Sequence, residues 1–254
     1  MPKLSAVITC FNNEETIRKC VDSLSFADEI IVLDSFSNDK TLKILKQLPC
    51  SIHQQKFKGF WQQKQDAINL CQYDWIILLD SDEYLTNQAQ AKIRQWKKSV
   101  PQFSAYQLPR REWVFWQWSH PLVHQNKFVR LFDKRVSYVS HDLVHESIKT
   151  TGKVSSLDAT IMHYGETSVE VKIEKINKYA LLAAQQKHQQ GKRVGKIKLK
   201  LYPIWYFFRQ YLIRRQIFNG KAGFINAKLN TRYATMKYAK LYDLIHKGNR
   251  NKKT

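Results

Sequence analysis

The chain has 254 residues, 43% of them hydrophobic and 25% charged, and a formal net charge of +21 at pH 7. That composition is enough for a packed core and excludes wholesale disorder, and the length fits one medium domain with an appendage. The first of only 8 glycines is Gly59, so the opening strand is followed by neither GxGxxG nor a Walker loop, and a dinucleotide or P-loop site there is excluded.

Leu4 to Thr9 (LSAVIT) reads as a short strand. Asn12 with Glu15 three residues on predicts a capping box, and Ile17, Cys20, Val21 and Leu24 recur at helical spacing. Glu29 to Asp34 (EIIVLD) is a continuous apolar strand of the buried parallel kind. A polar turn, 35–39, leads to a helix marked by Leu42, Ile44, Leu45 and Leu48 and stopped by Pro49. Ser51 to Gln55 predicts a third strand, Trp61 to Leu70 a helix, Trp75 to Leu79 another buried strand, and Asn87 to Lys98 a helix. Strands alternating with helices in this way predict a mostly parallel sheet covered by helices on both faces. From Ala105 to Met162 short aromatic pieces (AYQLP, KFVRLF, VSYVS, SLDATIMHY) predict antiparallel strands that extend the sheet. Val169 to Gln190 reads as one long helix, and Gly191 to Gly195 as a basic hinge.

The charge is unevenly spread. From Lys192 onward there are 17 Lys and Arg and one acid, Asp243, whereas the first 191 residues carry 25 basic and 20 acidic side chains. A surface this basic seeks a polyanion: nucleic acid, an anionic bilayer face or a phosphorylated substrate. The four cysteines, Cys10, Cys20, Cys50 and Cys71, are scattered without a CxxC and read as reduced structural thiols. The apolar run after Pro2-Lys3 is too short for a secretory signal, and no stretch reaches the ~18 apolar residues of a spanning helix. The expected location is therefore the cytoplasm.

Ligands of open α/β sheets bind beyond the carboxyl ends of the strands. Asn12 to Glu15, Asp34-Ser35 and Asp80-Ser81-Asp82 all fall there. Two carboxylates separated by Ser81 suit a hard divalent ion that keeps waters and bridges phosphates. A lone DxD reads as readily as a solvated turn that caps the next helix. Asp34 and Glu14 on the same sheet edge favour the ion.

The runs SAVITCFNNEETIRKCVDSL, ADEIIVLDSFSNDKT, QKQDAI and DWIILLDSDE resemble the nucleotide-sugar half of inverting family 2 glycosyltransferases. The RLF, VHE and HYG pieces, EKINKYALLAA and the basic aromatic tail are similar to one subgroup. That subgroup adds a sugar, typically glucose, to the inner core of lipooligosaccharide or lipopolysaccharide. The resemblance implies the GT-A fold, with a catalytic domain at 1–190 (donor half 1–100, acceptor half 101–190) and a basic helical region at 191–254. It implies a UDP-sugar donor, Mn2+ or Mg2+, and a lipid-linked phosphorylated saccharide acceptor.

Site roles follow from the same resemblance. Thr9, Asn12, Glu14 and Ser81 would line the nucleotide-sugar pocket, and Asp34 would accept from the uracil ring. Lys64 would contact uridine or phosphate, with a plain surface lysine as the alternative. Asp80 would sit near ribose or metal and Asp82 on the metal, with His163 either a third ligand or a core histidine. Asp66 stands where the subgroup usually has Asn, and no role is carried to it. An inverting reaction needs a base opposite the leaving group. Glu146 is the first candidate and Asp142 the second, with His145 orienting the carboxylate or touching the acceptor. Ion pairs from a strand edge to Arg130 or Arg111 are the structural alternative. Arg110, Arg111 and Arg130, among Trp113, Phe115, Trp116 and Trp118, suit a phosphorylated sugar acceptor; a small hydrophobic cluster explains the aromatics equally well. The pairs His120/His124 and His141/His145 lie in non-helical sequence, so zinc is not expected.

Leu201 to Phe218 (LYPIWYFFRQYLIRRQIF) reads as a basic aromatic helix in the interface of an anionic leaflet. Ala222 to Ile245 predicts a second amphipathic helix, with Phe224, Ile225, Leu229, Tyr233, Met236 and Leu241 open to a partner, and the end from Lys247 is expected to be disordered. The expected protein is peripheral on the inner face of the cytoplasmic membrane. A basic nucleic-acid-binding protein and a non-catalytic scaffold are the alternatives. No nucleic-acid module is present, so nucleic acid is not expected as a partner.

Overall fold

The computed structural model describes residues 1–141 and 146–250, with side chains up to 247. They form two compact units, one of residues 1–111 and 125–164 and one of residues 112–124 and 165 onward.

The first unit opens with β1 (Leu4–Cys10), α1 (Ile17–Asp22), β2 (Glu29–Asp34), α2 (Thr41–Leu45), β3 (Ser51–Gln54), α3 (Phe60–Asn69), β4 (Trp75–Asp80), β5 (Glu83–Leu85) and α4 (Asn87–Lys97). Then come β6 (Ala105–Val114), whose last residues belong to the second unit together with β7 (Gln117–Trp118), and, again in the first, β8 (Asn126–Asp133), β9 (Ser137–Val139), β10 (Ile148–Thr150), β11 (Val154–Ser156) and β12 (Ile161–Glu166), which ends in the second. The sheet order is β3-β2-β1-β4-β8-β6-β12-β5. The four strands from β3 to β4 are parallel, and β8 joins β4 antiparallel. This is the α/β architecture expected for the GT-A fold, with the antiparallel extension falling where the pattern changes.

Alternation along β1 builds the two core layers. Leu4, Ala6, Ile8 and Cys10 pack with Ile17, Cys20 and Val21 of α1, Leu45 of α2, and Ala89, Ile93 and Trp96 of α4. Val7 turns to the other face, where Ala67 and Ile68 of α3 cover Ile31, Ile76 and Phe132. Val139 and Ile148 join that layer from the separate two-stranded sheet β9-β10.

Several expectations need correction. The capping box does not form: α1 starts at Ile17 with Thr16 as an N-cap that makes no side-chain bond, and Asn12 and Glu14 bond to a neighbouring loop instead. Asn12 has φ 55°, a left-handed turn that asparagine tolerates. The stretch from Leu157 to Met162 is not one strand with its neighbours, because β11 ends at Ser156 and β12 begins at Ile161.

The second unit holds α5 (Val169–Gln189), α6 (Lys196–Phe208), a π-turn at Arg209–Ile213, a 3-10 turn at Gln216–Asn219 and α7 (Gly220–Arg250). Gly191, at φ +67°, ends α5 in a Schellman turn, with Gly191 N–H on the His188 carbonyl and Lys192 N–H on that of Lys187. The basic aromatic helix is therefore shorter than expected and broken. A left-handed Arg215 (φ 59°) turns the chain after the π-turn. Most of the apolar face expected to await a partner is packed inside the unit: Ile225 and Leu229 on Val114, Phe115 and Ala222, and Leu241 with Ala184 and Tyr238. The long helix α5 belongs to this unit, so the division lies near Gly165. The helix α7 continues through Arg250, past Lys247; residues 251–254 lie outside the described residues. No described helix is long and apolar enough to cross a membrane.

Gly223 sits where the 3-10 turn meets α7, and a Cβ there would lie 1.8 Å from the Gln216 carbonyl oxygen and 2.8 Å from the Asn219 Cβ. Backbone cannot yield as a flexible side chain does. Gly223→Ala is expected to lower unfolding free energy by about 1–3 kcal/mol, read by chemical denaturation; a stability equal to wild type would reject this packing.

Candidate active site

The strand register brings the acidic tips together. Thr9 pairs across to Leu33 and to Asp80, and Cys10 to Asp34, so β1 ends between two strands that each finish in aspartate. The loop after β1 is tied to the loop after β2. Asn12 N–H donates to Ser37 Oγ at 2.9 Å, and its Oδ1 accepts from Asn38 N–H at 2.9 Å. Glu14 Oε2 accepts from Lys40 N–H at 2.8 Å, and Ser81 Oγ donates to Asn13 Oδ1 at 2.7 Å. Thr9, Asn12, Glu14 and Ser81 thus share one edge, as the sequence implied.

Asp34 is fully buried. Its oxygens accept from Ser37 N–H and Gln54 Nε2, both at 3.0 Å, and from Ser37 Oγ, with Cys10 Sγ at 3.5 Å. Burial and the nearby Asp34 push the Cys10 thiol well above its ordinary range, and the four cysteines are free thiols. A uracil N–H would have to displace one of the donors already on Asp34.

The centre of the site is a row of alternating charges. Lys64, in the first half of α3, bonds Glu146 Oε1 at 2.8 Å and Asp80 Oδ1 at 2.7 Å. Arg130, on β8 beside β4, bonds Asp80 Oδ2 and Glu83 Oε1, each at 2.8 Å. Arg110 on β6 reaches the same Glu83 oxygen at 2.9 Å and lies 4.3 Å from the centre of the Phe128 ring. Glu83 Oε2 accepts the Asp80 N–H at 3.0 Å. Burial opposes the Asp80 carboxylate, but Lys64 and Arg130 outweigh it and hold the group well below the usual carboxylate range. Burial likewise opposes the Lys64 ammonium, and the Asp80 and Glu146 carboxylates hold it above the usual lysine value.

Three expectations change here. Lys64 is not a surface lysine; it is 9% exposed. Arg130 is not open to an acceptor, because β8 lies against β4 and buries its guanidinium between Asp80 and Glu83. The metal set Asp80, Asp82 and His163 does not assemble, since both Asp80 oxygens are held by cations, and among the described residues no three His, Cys, Asp or Glu converge on a metal position. Asp82 and His163 do meet, Oδ2 to Nε2 at 3.3 Å. A carboxylate and an imidazole would fit a divalent ion as a partial ligand set, leaving its other positions to phosphate and water.

Arg111 is half-buried on β6. Asp142 and His145 lie outside the described residues. The aromatic loop is largely a cluster: Phe115 is buried, Trp113 and Trp118 meet edge to face at 5.2 Å, and Trp116 is exposed. Asp66 accepts from Gln55 at 2.6 Å and Gln62 at 2.7 Å. Glu83 was missed as a site residue, and Arg110, expected beside the acceptor, is paired with Glu83. An arginine inside the apolar run KFVRLF was the available signal, because a buried guanidinium requires an acid.

The family model described as "Glycosyl transferase family 2" matches residues 5–151. An uncharacterized glycosyltransferase of Rickettsia felis is 31% identical over 98% of this chain and 92% of its own length. The lipopolysaccharide core biosynthesis glycosyltransferase LpsC of Rhizobium meliloti is 29% identical over 95% of this chain and 93% of its own. Among solved structures, S. aureus TarS aligns over 97% of this chain and 92% of that one, at 16% identity and a TM-score of 0.45. Glucosyl-3-phosphoglycerate synthase of Mycobacterium tuberculosis, crystallised with Mn2+, UDP and glucosyl-3-phosphoglycerate, aligns over 43% and 44% at 21% identity and a TM-score of 0.37. With more than half its length inside the family model and a near-full-length relative above 30% identity, the chain belongs to glycosyl transferase family 2 and is a glycosyltransferase.

Proposed function

We propose that this glycosyltransferase is an inverting, metal-dependent enzyme that moves glucose from UDP-glucose to the inner-core heptose of a lipid-linked lipooligosaccharide or lipopolysaccharide. The observation that carries the reading is the near-full-length similarity to the LpsC protein, named for lipopolysaccharide core biosynthesis. In this reading residues 1–100 serve the donor and the segment from 101 the acceptor. Thr9, Asn12, Glu14 and Ser81 border the nucleotide sugar, and Asp34 meets uracil once Ser37 or Gln54 gives way. Asp82 and His163 hold the Mn2+ or Mg2+, which supplies positive charge to the departing diphosphate. Glu146 takes the proton of the acceptor hydroxyl as its oxygen attacks the anomeric carbon from the face opposite UDP. The new glycosidic bond forms as the bond to the diphosphate oxygen breaks, and the electron pair leaves on UDP. Arg111 is the remaining described candidate for an acceptor phosphate.

The same reading sets the enzyme at the inner face of the cytoplasmic membrane, where a soluble donor can meet a lipid-anchored acceptor. Its support is a row of exposed apolar side chains on α6 and the π-turn: Ile197, Leu201, Ile204, Trp205, Phe208 and Leu212. Their spacing gives one helical face, and α6 buries none of its residues. Lys196, Lys198, Lys200, Arg209, Arg214 and Arg215 accompany them. Each such cation adds about 1 kcal/mol near an anionic surface.

Glu146→Ala is expected to lower kcat by about 10²–10⁴-fold and leave UDP binding unchanged. Asp82→Ala should weaken manganese-dependent UDP binding about tenfold or more, measured by calorimetry. Near-native turnover in Glu146→Ala would move the base to Asp142. The double variant Trp205→Glu/Phe208→Glu should lose co-sedimentation with anionic vesicles and keep transfer to a short, water-soluble acceptor. Undiminished sedimentation would reject the membrane face.

A further inference from the structure

The side chain of Lys64 touches two acids with different proposed tasks. Its Nζ lies 2.7 Å from Asp80 Oδ1 and 2.8 Å from Glu146 Oε1. Asp80 is fixed independently, by Arg130 on its second oxygen and by Glu83 on its backbone N–H. Glu83 is itself clamped by Arg130 and Arg110. Glu146 lies just before β10, with Ser147 N–H paired to Ser140 Oγ at 3.0 Å, and its carboxylate accepts from Lys64 Nζ at 2.8 Å. Lys64 is also held, because its helix packs Ala67 and Ile68, one turn further on, into the core. Among the described residues, the ion pair that ties Glu146 to this fixed part of the site runs through the Lys64 ammonium.

We propose that Lys64 is the positioning residue for the catalytic carboxylate: it ties Glu146 to the immobilised Asp80 and so fixes the base relative to the donor end of the site. This rests on the reading of Glu146 as the base. It differs from a direct phosphate or uridine contact, since two of the three ammonium donors are spent on carboxylates. A base held off its line of attack by about 1 Å can lose on the order of 100-fold in rate while the donor still binds. Lys64 thereby acts on turnover rather than on nucleotide affinity.

The test combines kinetics with a substrate-free measurement. Lys64→Met is expected to lower kcat on the order of 100-fold, with the Kd for UDP plus manganese little changed, and Lys64→Arg to recover part of the loss because it keeps the charge. A fall in UDP affinity in step with turnover would make Lys64 a donor ligand and overturn the proposal. Thermal unfolding of Lys64→Met, Glu146→Ala and the double variant gives the coupling between the two side chains without any substrate. The double variant should lose less than the two single losses added together; strict additivity overturns the contact. If Lys64→Met does not fold, the same cycle is run with Lys64→Gln, which also removes the charge, and a Glu146-dependent loss is again required. Wild-type protein inert towards UDP-glucose would instead fail the donor assignment above, and the unfolding cycle would still decide the role of Lys64.

Discussion

Asp80, Glu83 and Glu146 are each met by a buried cation at the sheet tips, and the candidate site of the first unit is organised around those pairs. Glu146, Lys64, Asp80, Arg130, Glu83 and Arg110 alternate in sign, and each touches the next at 2.7–2.9 Å. Removing one member of such a set leaves an uncompensated charge, which typically costs about 3–5 kcal/mol in a buried pair. The row joins α3, β4, β8, β5, β6 and the chain before β10. Segments far apart in sequence are thereby held in one geometry by polar contacts above a core that is otherwise apolar.

This arrangement divides labour between the two aspartates of the DxD. The two side chains are almost equally exposed, 28% and 31%, but Asp80 is held by two cations, whereas Asp82, one step past Ser81, meets His163. β4 ends at Asp80 and Asp82 follows in the turn before β5, so the two meet different neighbours. A motif that looks symmetric in the sequence therefore has one aspartate paired with cations and one beside an imidazole. In the proposed reaction Asp82 serves the departing diphosphate and Asp80 serves the alignment of the base.

The second unit answers a different physical demand. Its interior is small, with Ala180, Ala184, Ala222, Ala227 and Ala234 buried where helices approach closely. The larger side chains of α6 are left outside, with Ile197 76% and Leu201 60% exposed. With so many neighbouring cations and Asp243 as the one acid from Lys192 onward, this surface disfavours a second copy of itself and suits an anionic one. That is the electrostatic basis for the proposed peripheral attachment.

Much of the architecture was legible because it is local. Period-two and period-3.6 apolar spacing marked β1, β2, β4, α1, α3 and α5, and the acids at the ends of β2 and β4 identified the ligand edge. The capping box at Asn12 was misread because its side chain had a better partner in Asn38, 26 residues away and adjacent only after β1 and β2 pair. Arg130 was misassigned for the same reason. Its position in the chain suggested an acceptor contact, and only the antiparallel pairing of β8 with β4 brought it under Asp80. The sequence by itself determined the layers, the basic tail and the types of group at the site. Which carboxylate meets a cation and which an imidazole was decided by the tertiary structure, because ion pairing at 2.7–3.3 Å depends on cross-strand register and helix packing, which no local spacing encodes.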